Sequence, residues 1–252
     1  VFAGGYDGGT NYNTIDFVTI ASAGNASNFG DLLSTLVFST GCSNSTRGLF
    51  AGGANDLNKN EINVIQYITI ASAGNSINFG DLTVSRYDLA GCASPTRGLF
   101  AGGNPDGTRF NVIDYVTIAS TGNATDFGDL VNPIDTLASC SSNTRGLFAG
   151  GVSQTTTERI NIIGYVTIAS TGNTTDFGDL TAYVSSLSSS SSNIRGVFGG
   201  GEGGGSPSGG GSVLKTISYV TIASTGNASG FGDLTSVNRD LAACSNVHGG
   251  LS

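Results

Sequence analysis

One segment recurs five times along this chain, and its third copy reads Asn111-Val-Ile-Asp-Tyr-Val-Thr-Ile-Ala-Ser-Thr-Gly-Asn-Ala-Thr-Asp-Phe-Gly-Asp-Leu130. The core Thr-Ile-Ala-Ser begins at Thr19, Thr69, Thr117, Thr167 and Thr221. The core Phe-Gly-Asp-Leu begins at Phe29, Phe79, Phe127, Phe177 and Phe231. Successive copies lie 50, 48, 50 and 54 residues apart in both series. Repeats near 50 residues are typical of propellers and solenoids, so the period predicts the architecture.

Each unit predicts four short β-strands. In the third unit these are residues 89–92, residues 97–103, residues 112–119 and a short stretch centred on residues 127–130. The third strand is rich in β-branched and aromatic residues, and both of its faces are apolar apart from Asp114. Two apolar faces are expected of a sheet that is covered on both sides. No segment carries a sustained 3.6-residue apolar period, so almost no helix is predicted.

The five units predict one all-β domain, residues 1–252, folded as a five-bladed β-propeller with four antiparallel strands per blade. The repeats span approximately residues 1–48, 49–98, 99–146, 147–196 and 197–252. The chain starts on a predicted second strand, residues 1–5, and ends just after a predicted first strand, residues 239–244. We expect these ends to share the closing blade, which leaves no exposed edge in the ring. A chain that begins at Val1 and contains no Met is also expected to be a piece of a longer protein.

Composition excludes several classes of partner. The net charge is −8 and no block of Lys or Arg is present, so nucleic acid is not an expected partner. No apolar run approaches the ~18 residues of a membrane span, so membrane insertion is not predicted. Each of the four cysteines occupies the same register of its repeat, and equivalent positions in neighbouring blades are expected to lie too far apart for a disulfide. All four are therefore expected to be buried, reduced thiols, and the absence of CxxC spacing argues against a metal or redox role.

The order of motifs resembles the kelch repeat. The segment Arg97-Gly-Leu-Phe-Ala-Gly-Gly103 ends in the Gly pair, a strand carrying Tyr115 follows, and Phe127 precedes the fourth strand. Kelch repeats usually carry Trp where this chain has Phe, and the acidic residue that follows the third-strand aromatic is missing here. The wording also resembles repeats in virion and tail-fibre-like proteins of marine bacteriophages (cyanophages). This resemblance implies a propeller that serves a virion or extracellular assembly and binds a protein or glycan.

The internal repeats differ from one another mainly on one predicted face. Loops from first to second and from third to fourth strands hardly vary, and they define the uniform face. The variable face consists of the second-to-third loops and the fourth-to-first linkers, for which the ranges are 6–12, 55–61, 104–110, 153–159 and 202–212, then 33–37, 84–87, 132–135, 183 and 238–239. Loops on a rigid scaffold often carry binding, although unconstrained variation is the alternative. The predicted binding residues are Tyr6, Asp7, Tyr12, Asn55, Asp56, Tyr87, Asp106, Arg109, Phe110 and Arg159.

Two charged positions recur and are predicted to be structural, through turn capping or Asp–Arg pairing. They are Asp31, Asp81, Asp129, Asp179 and Asp233, together with Arg47, Arg97, Arg145 and Arg195. The alternative is a set of acidic sites for cations or sugars. One acidic residue per unit is too few for Ca²⁺, which takes six to eight oxygen ligands.

No catalytic constellation is visible, so the chain is not predicted to be an enzyme, and no cofactor or metal is expected. His248 is the sole His, and no HExxH or GxSxG motif occurs. The favoured hypothesis is a structural and binding module of a phage virion, tail fibre or adhesin that recognises a host surface or neighbouring protein. A lectin with five sugar sites on the uniform face, built from the Thr-Gly-Asn turns and recurring Asp, is the alternative. An intracellular kelch interaction scaffold is the second alternative.

Overall fold

Every regular element is a β-strand in a computed structural model that describes residues 1–55, 60–204 and 211–244. The prediction of an all-β protein without helix is therefore confirmed for this part of the chain. Consistently, none of these residues belongs to a helix that is long and apolar enough to cross a membrane.

Five large antiparallel sheets follow one another along the chain, and their strands are numbered in chain order. The first sheet contains β1 (Phe2–Ala3), β2 (Thr14–Phe17) and β3 (Ser27–Asp31). The second contains β4 (Thr40–Ser43), β5 (Arg47–Ala51), β6 (Val64–Thr69) and β7 (Ile77–Asp81). The third contains β8 (Ala90–Ala93), β9 (Arg97–Ala101), β10 (Val112–Thr117) and β11 (Thr125–Asp129). The fourth contains β13 (Ala138–Ser141), β14 (Arg145–Ala149), β16 (Ile162–Thr167) and β17 (Thr175–Asp179). The fifth contains β19 (Ser188–Ser191), β20 (Arg195–Gly199), β23 (Thr216–Thr221) and β24 (Ser229–Asp233).

Two small sheets bring the described total to seven, where five were predicted. One pairs β12 (Ile134–Asp135) with β15 (Val152–Ser153). The other pairs β18 (Val184–Ser185) with β21 (Glu202–Gly203), and β21 with β22 (Ser212–Val213). Both arise because a fourth-to-first linker pairs with the second-to-third loop of the next unit. Earlier in the chain the same contact is a single bridge, as between Tyr87 and Asn104.

The predicted closing blade is not formed by the described residues. The first sheet has three strands, and residues 239–244 form no strand. This segment is held at its own end of the chain instead. The Asp240 N–H donates to the Ser186 carbonyl (3.0 Å), and the adjacent Asn238 donates its N–H to the Leu214 carbonyl (3.0 Å) and accepts from the Gly201 N–H (2.8 Å). These bonds hold the segment against the fifth unit.

The first strands of the second to fifth sheets line one cavity. Strands β4, β8, β13 and β19 lie side by side in that order, and the cavity they line has a volume of about 240 Å³. Residues 243–244 line the same cavity. Ser hydroxyls join neighbouring inner strands, since Ser189 Oγ donates to the Ser139 carbonyl and Ser191 Oγ donates to the Ser141 carbonyl, both at 2.7 Å. Five chain segments therefore meet around this cavity.

Apolar side chains pack between consecutive sheets. Between the second and third sheets, Leu49, Ile65 and Phe79 meet Phe100 and Ile118, and all five are buried. Burial of each such side chain stabilises the fold by roughly 1.5–3 kcal/mol. The two apolar faces of the third strand are thus covered as the sequence predicts.

The cysteines match their prediction in part. Cys92 and Cys140 are buried, Cys42 is half-buried, and no disulfide is formed. Burial raises the pKa of the Cys92 thiol to about 12. Cys244 is exposed, contrary to prediction, because its segment, residues 241–244, joins no sheet.

Candidate functional site

The variable loops lie together, and the structure sorts the predicted binding residues into exposed and packed groups. Exposed residues are Tyr6, Asp7, Tyr12, Asn55 and Asp106; half-buried residues are Arg109, Phe110 and Arg159; Tyr87 is buried; and Asp56 lies outside the described residues. The pairing between linkers and loops explains why some of these side chains are covered.

The first variable loop presents two aromatic side chains in a hydrogen-bonded turn. Tyr6 and Tyr12 are 46% and 39% exposed. Asp7 organises the turn, since its carboxylate accepts bonds from the Tyr12 hydroxyl (2.5 Å), the Thr10 N–H (2.8 Å) and the Gly9 N–H (3.0 Å). The Tyr12 bond and then these backbone N–H groups lower the pKa of Asp7. The same carboxylate raises the pKa of Tyr12.

The backbone of this loop is anchored to the first sheet and to the next linker. The Tyr12 N–H donates to the Gly5 carbonyl (2.9 Å), and the Tyr12 carbonyl accepts from the Leu36 N–H (3.0 Å). An anchored loop with two exposed Tyr side chains can bind a partner with little loss of conformational entropy.

Tyr87 is not available to a partner, contrary to prediction. Its residue pairs with Asn104 in a β-bridge, and it is only 2% exposed. Its ring lies 6.0 Å from the ring of Phe38. Phe38, which sequence reasoning missed, is the exposed member of this aromatic pair.

The two predicted arginine anchors join neighbouring loops. Arg109 Nε lies 2.8 Å from Asp135 Oδ1, and Arg159 Nη2 lies 2.6 Å from Glu202 Oε1. Arg239 also contacts Glu202, with 2.6 Å between Nη1 and Oε2. The first two arginines are half-buried, so their first role in this geometry is to hold the variable loops together.

The remaining predicted residues lie in turns. The Phe110 N–H donates to the Gly103 carbonyl (2.8 Å), and its carbonyl accepts from the Ile134 N–H (3.0 Å). Asp106 is exposed in a turn with a φ of 49°. Asn55 accepts two hydrogen bonds from the preceding linker, one from the Ser34 hydroxyl and one from the Thr35 hydroxyl.

The recurring arginines on the uniform face bind aromatic rings and carbonyls. The Arg47 guanidinium lies 4.5 Å from the centre of the Tyr67 ring, and its Nη1 donates to the Ile118 carbonyl of the next sheet (2.8 Å). Arg97 and Arg145 repeat both contacts in their own units. Cation–π contact explains the recurrence of Arg before a third-strand Tyr. Among the described residues, no ion pair joins these arginines to the recurring aspartates, so the Asp–Arg expectation is not met there.

The recurring Phe-Gly-Asp segment forms a junction with the next sheet. The Phe79 carbonyl accepts from the Gly122 N–H (2.7 Å), and the Asp81 carbonyl accepts from the Ala124 N–H (2.8 Å). The Asp81 N–H donates to Asn123 Oδ1 (3.1 Å). The same three bonds recur at the other three junctions between consecutive sheets. The Thr-Gly-Asn turns and the recurring Asp, which the lectin alternative uses as sugar sites, therefore form contacts between sheets.

One buried ion pair between the second and third sheets was not predicted. Arg86 Nη2 lies 3.0 Å from Asp114 Oδ2, and both side chains are fully buried. Thr83 donates to Asp114 through its N–H (3.1 Å) and its hydroxyl (2.7 Å). Burial lowers the pKa of Arg86, against the opposing effect of the Asp114 carboxylate. The other units carry Leu36, Ile134, Val184 or Asn238 at the place of Arg86, so the repeat gave no signal for this pair.

No metal-binding cluster is found in the part of the chain that the structure describes, where three or more His, Cys, Asp or Glu side chains never converge. His248, the sole His considered for catalysis, lies outside the described residues. Comparison with models of known protein families finds no match, and comparison with curated proteins finds no similar sequence.

Proposed function

We propose that the five large sheets are the blades of a β-propeller and that the chain is a non-enzymatic structural and binding module. Its arrangement is supported by four repeated junctions between consecutive sheets and by inner strands that line one cavity. Propellers bury both faces of each blade against its neighbours and expose loops at two ends. The loops of the variable face are the ones that differ from blade to blade, so they suit an asymmetric partner.

The observation that carries this proposal is the anchored first loop with exposed Tyr6 and Tyr12. Aromatic side chains dominate the energies of many interfaces, and each often contributes more than ~1–2 kcal/mol on truncation. Here the Asp7 hydrogen bonds hold the turn in one conformation before a partner arrives. Partner recognition therefore centres on this loop, with Asn55 and Asp106 as further exposed groups on the variable face.

The proposed setting is a phage virion, tail fibre or other extracellular adhesin, and the proposed partner is a protein or glycan on a cell surface or within the virion. This setting is supported by the resemblance of the repeat to virion proteins and by the acidic, weakly charged composition. The lectin alternative gains no support from the geometry, because the Asn side chains of four uniform-face turns accept hydrogen bonds from a neighbouring sheet.

The test compares wild-type protein with a Tyr6→Ala/Tyr12→Ala variant on a glycan array and on intact cyanobacterial cells. We expect binding to weaken at least roughly tenfold, because two aromatic contacts are lost. Thermal stability should change little, since both side chains are exposed.

The matched control is Thr171→Ala, an exposed change on the uniform face. Binding should be unaffected by this control. If Thr171→Ala, alone or combined with Thr121→Ala and Thr225→Ala, abolishes binding while the Tyr variant binds normally, recognition belongs to the uniform face and the proposal is wrong.

A further inference from the structure

Four junctions between sheets are complete, and a fifth set of the same groups, at the two ends of the series of sheets, has no such partners among the described residues. At the complete junctions the Phe of the Phe-Gly-Asp segment is covered by the next sheet, so that Phe127 and Phe177 are each 2% exposed. The equivalent Phe231 is 56% exposed. Ile217, whose counterparts Ile113 and Ile163 are fully buried, is only half-buried. The fifth sheet therefore presents an uncovered apolar face.

The first sheet presents the complementary face. Ile20 is 67% exposed, whereas its counterparts Ile168 and Ile222 are 1% exposed. Phe2 and Val18 on the same sheet are also exposed. In the third to fifth sheets, the preceding sheet covers the equivalent side chains. In the first sheet, none of the described residues covers them.

The backbone of the fifth sheet is open at the corresponding place. At a complete junction, a Cβ added to Gly178 would lie 2.5 Å from the carbonyl oxygen of Gly226 in the next turn. Nothing lies within 4 Å of such a position on Gly232 in the fifth sheet. The slot that receives the next turn at the other junctions is therefore open on the fifth sheet.

The segments that line the cavity indicate that the open face of the fifth sheet is covered by the first sheet of the same chain. Phe38, Asp88, Thr136, Ser186 and Asp240 occupy one place in successive units, and all have φ between 52° and 57°. Each of the last four donates its N–H to the carbonyl of the one before it, at 2.9–3.0 Å. Asp240 therefore takes the fifth place in this series, and the residues 243–244 that follow it line the cavity together with strand β4.

We infer that the open face of the fifth sheet docks on the first sheet of the same chain and closes the ring by a fifth copy of the junction. In this copy the Gly24 N–H donates to the Phe231 carbonyl, and the Asp233 N–H donates to the Asn25 side chain. Arg195, which stacks on Tyr219 like the other arginines, reaches the Ile20 carbonyl.

This closure differs from the predicted one, because two sheet faces meet and no strand has to be shared. Tethering within one chain gives the two faces an effective concentration that can reach the millimolar range, which favours closure over pairing between molecules. The inference rests on the ring arrangement proposed above, and it does not depend on what the variable face binds.

Thiol cross-linking tests the closure. The pair Ala26→Cys and Asp233→Cys is placed across the fifth junction in a Cys244→Ser background, and a short bis-maleimide is added. The matched control is Asp179→Cys with Ala228→Cys, where the Ala228 N–H donates to the Asp179 carbonyl at 2.7 Å. Burial raises the pKa of the three native thiols that remain, Cys42, Cys92 and Cys140, so their thiolates are scarce at neutral pH.

We expect both pairs to give a cross-linked monomer in similar yield. No cross-link at the fifth junction, beside an efficient control, would show that the face stays open. A cross-link formed only between two molecules would assign the face to a second copy. Either result overturns the inference, and neither bears on recognition by the variable face.

A second measurement does not depend on cross-linking. Phe231→Ala should lower the melting temperature by roughly 6–20 °C, the shift expected for truncating a buried Phe in a chain of this size. Phe177→Ala provides the matched internal standard. If the melting temperature of Phe231→Ala equals that of the wild-type protein while that of Phe177→Ala is lowered as expected, Phe231 is exposed in solution and the ring is open.

Discussion

At the residue scale, the buried pair of Arg86 and Asp114 is the feature least like the rest of the repeat. Removing one partner of a buried ion pair leaves an unpaired charge, which typically costs roughly 3–5 kcal/mol. The chain itself offers uncharged versions of this site, because the two positions hold Ile134 with Gly164 at one junction and Val184 with Ser218 at another.

We therefore predict that Arg86→Ile and Asp114→Ser each destabilise the protein by roughly 3–5 kcal/mol. The double variant should be less destabilised than either single one, because no lone charge is left. A double-mutant cycle by urea denaturation measures the coupling. Simple additivity of the two single effects would contradict the account.

Sequence reasoning identified the exposed aromatic residues of the first loop and missed the packing of others. Tyr6 and Tyr12 lie within one loop, so their exposure follows from a local turn. Tyr87 is covered by pairing with the loop of the next unit, and Arg109 by an acidic residue in the next linker. Contacts between units depend on which loops meet, and no repeat position on its own contains that information.

At the element scale, the junction between sheets depends on a glycine that the repeat keeps in every copy. Gly80 has a φ of 151°, and a Cβ there would lie 2.2 Å from the Gly122 carbonyl oxygen. Gly122 has nearly the same φ, 156°, but nothing lies within 4 Å of its own Cβ position. A substitution would meet the same backbone strain at both glycines, and only at Gly80 would the added Cβ also collide with a neighbouring turn.

Gly80→Ala should consequently destabilise the protein by more than Gly122→Ala, by at least about 1–2 kcal/mol. The excess reflects the forced separation of the second and third sheets, since backbone atoms cannot move aside as a flexible side chain does. Chemical denaturation of both variants provides the comparison. Equal destabilisation would mean that φ alone fixes these glycines and that the junction is loosely packed.

The strands themselves were largely predictable. Strand β10 (Val112–Thr117) begins at the residue where the repeat predicts the third strand, because β-branched and aromatic residues mark it. The small sheets on the variable face could not be predicted, because strands of two residues such as β12 carry no pattern of their own. They exist because two neighbouring units bring a linker and a loop side by side.

At the scale of the whole molecule, five units of similar sequence form two different faces, the uniform face and the variable face. The uniform face repeats because its turns and arginines hold consecutive sheets together. The loops of the variable face can differ in sequence from unit to unit, except at the residues that form ion pairs between them. The role of the uniform face in holding sheets together explains why its sequence is constant, and the freedom of the variable face allows the recognition proposed for it.

The most direct test of the account is an experimental density map of the chain in solution conditions, by crystallography or by electron microscopy with a rigid binding scaffold. The account predicts five sheets around one axis, with the Phe231 ring covered by Val18 and Ile20 of the same molecule. A map in which Phe231 faces solvent or a second molecule, or in which a different number of sheets surrounds the axis, would contradict it.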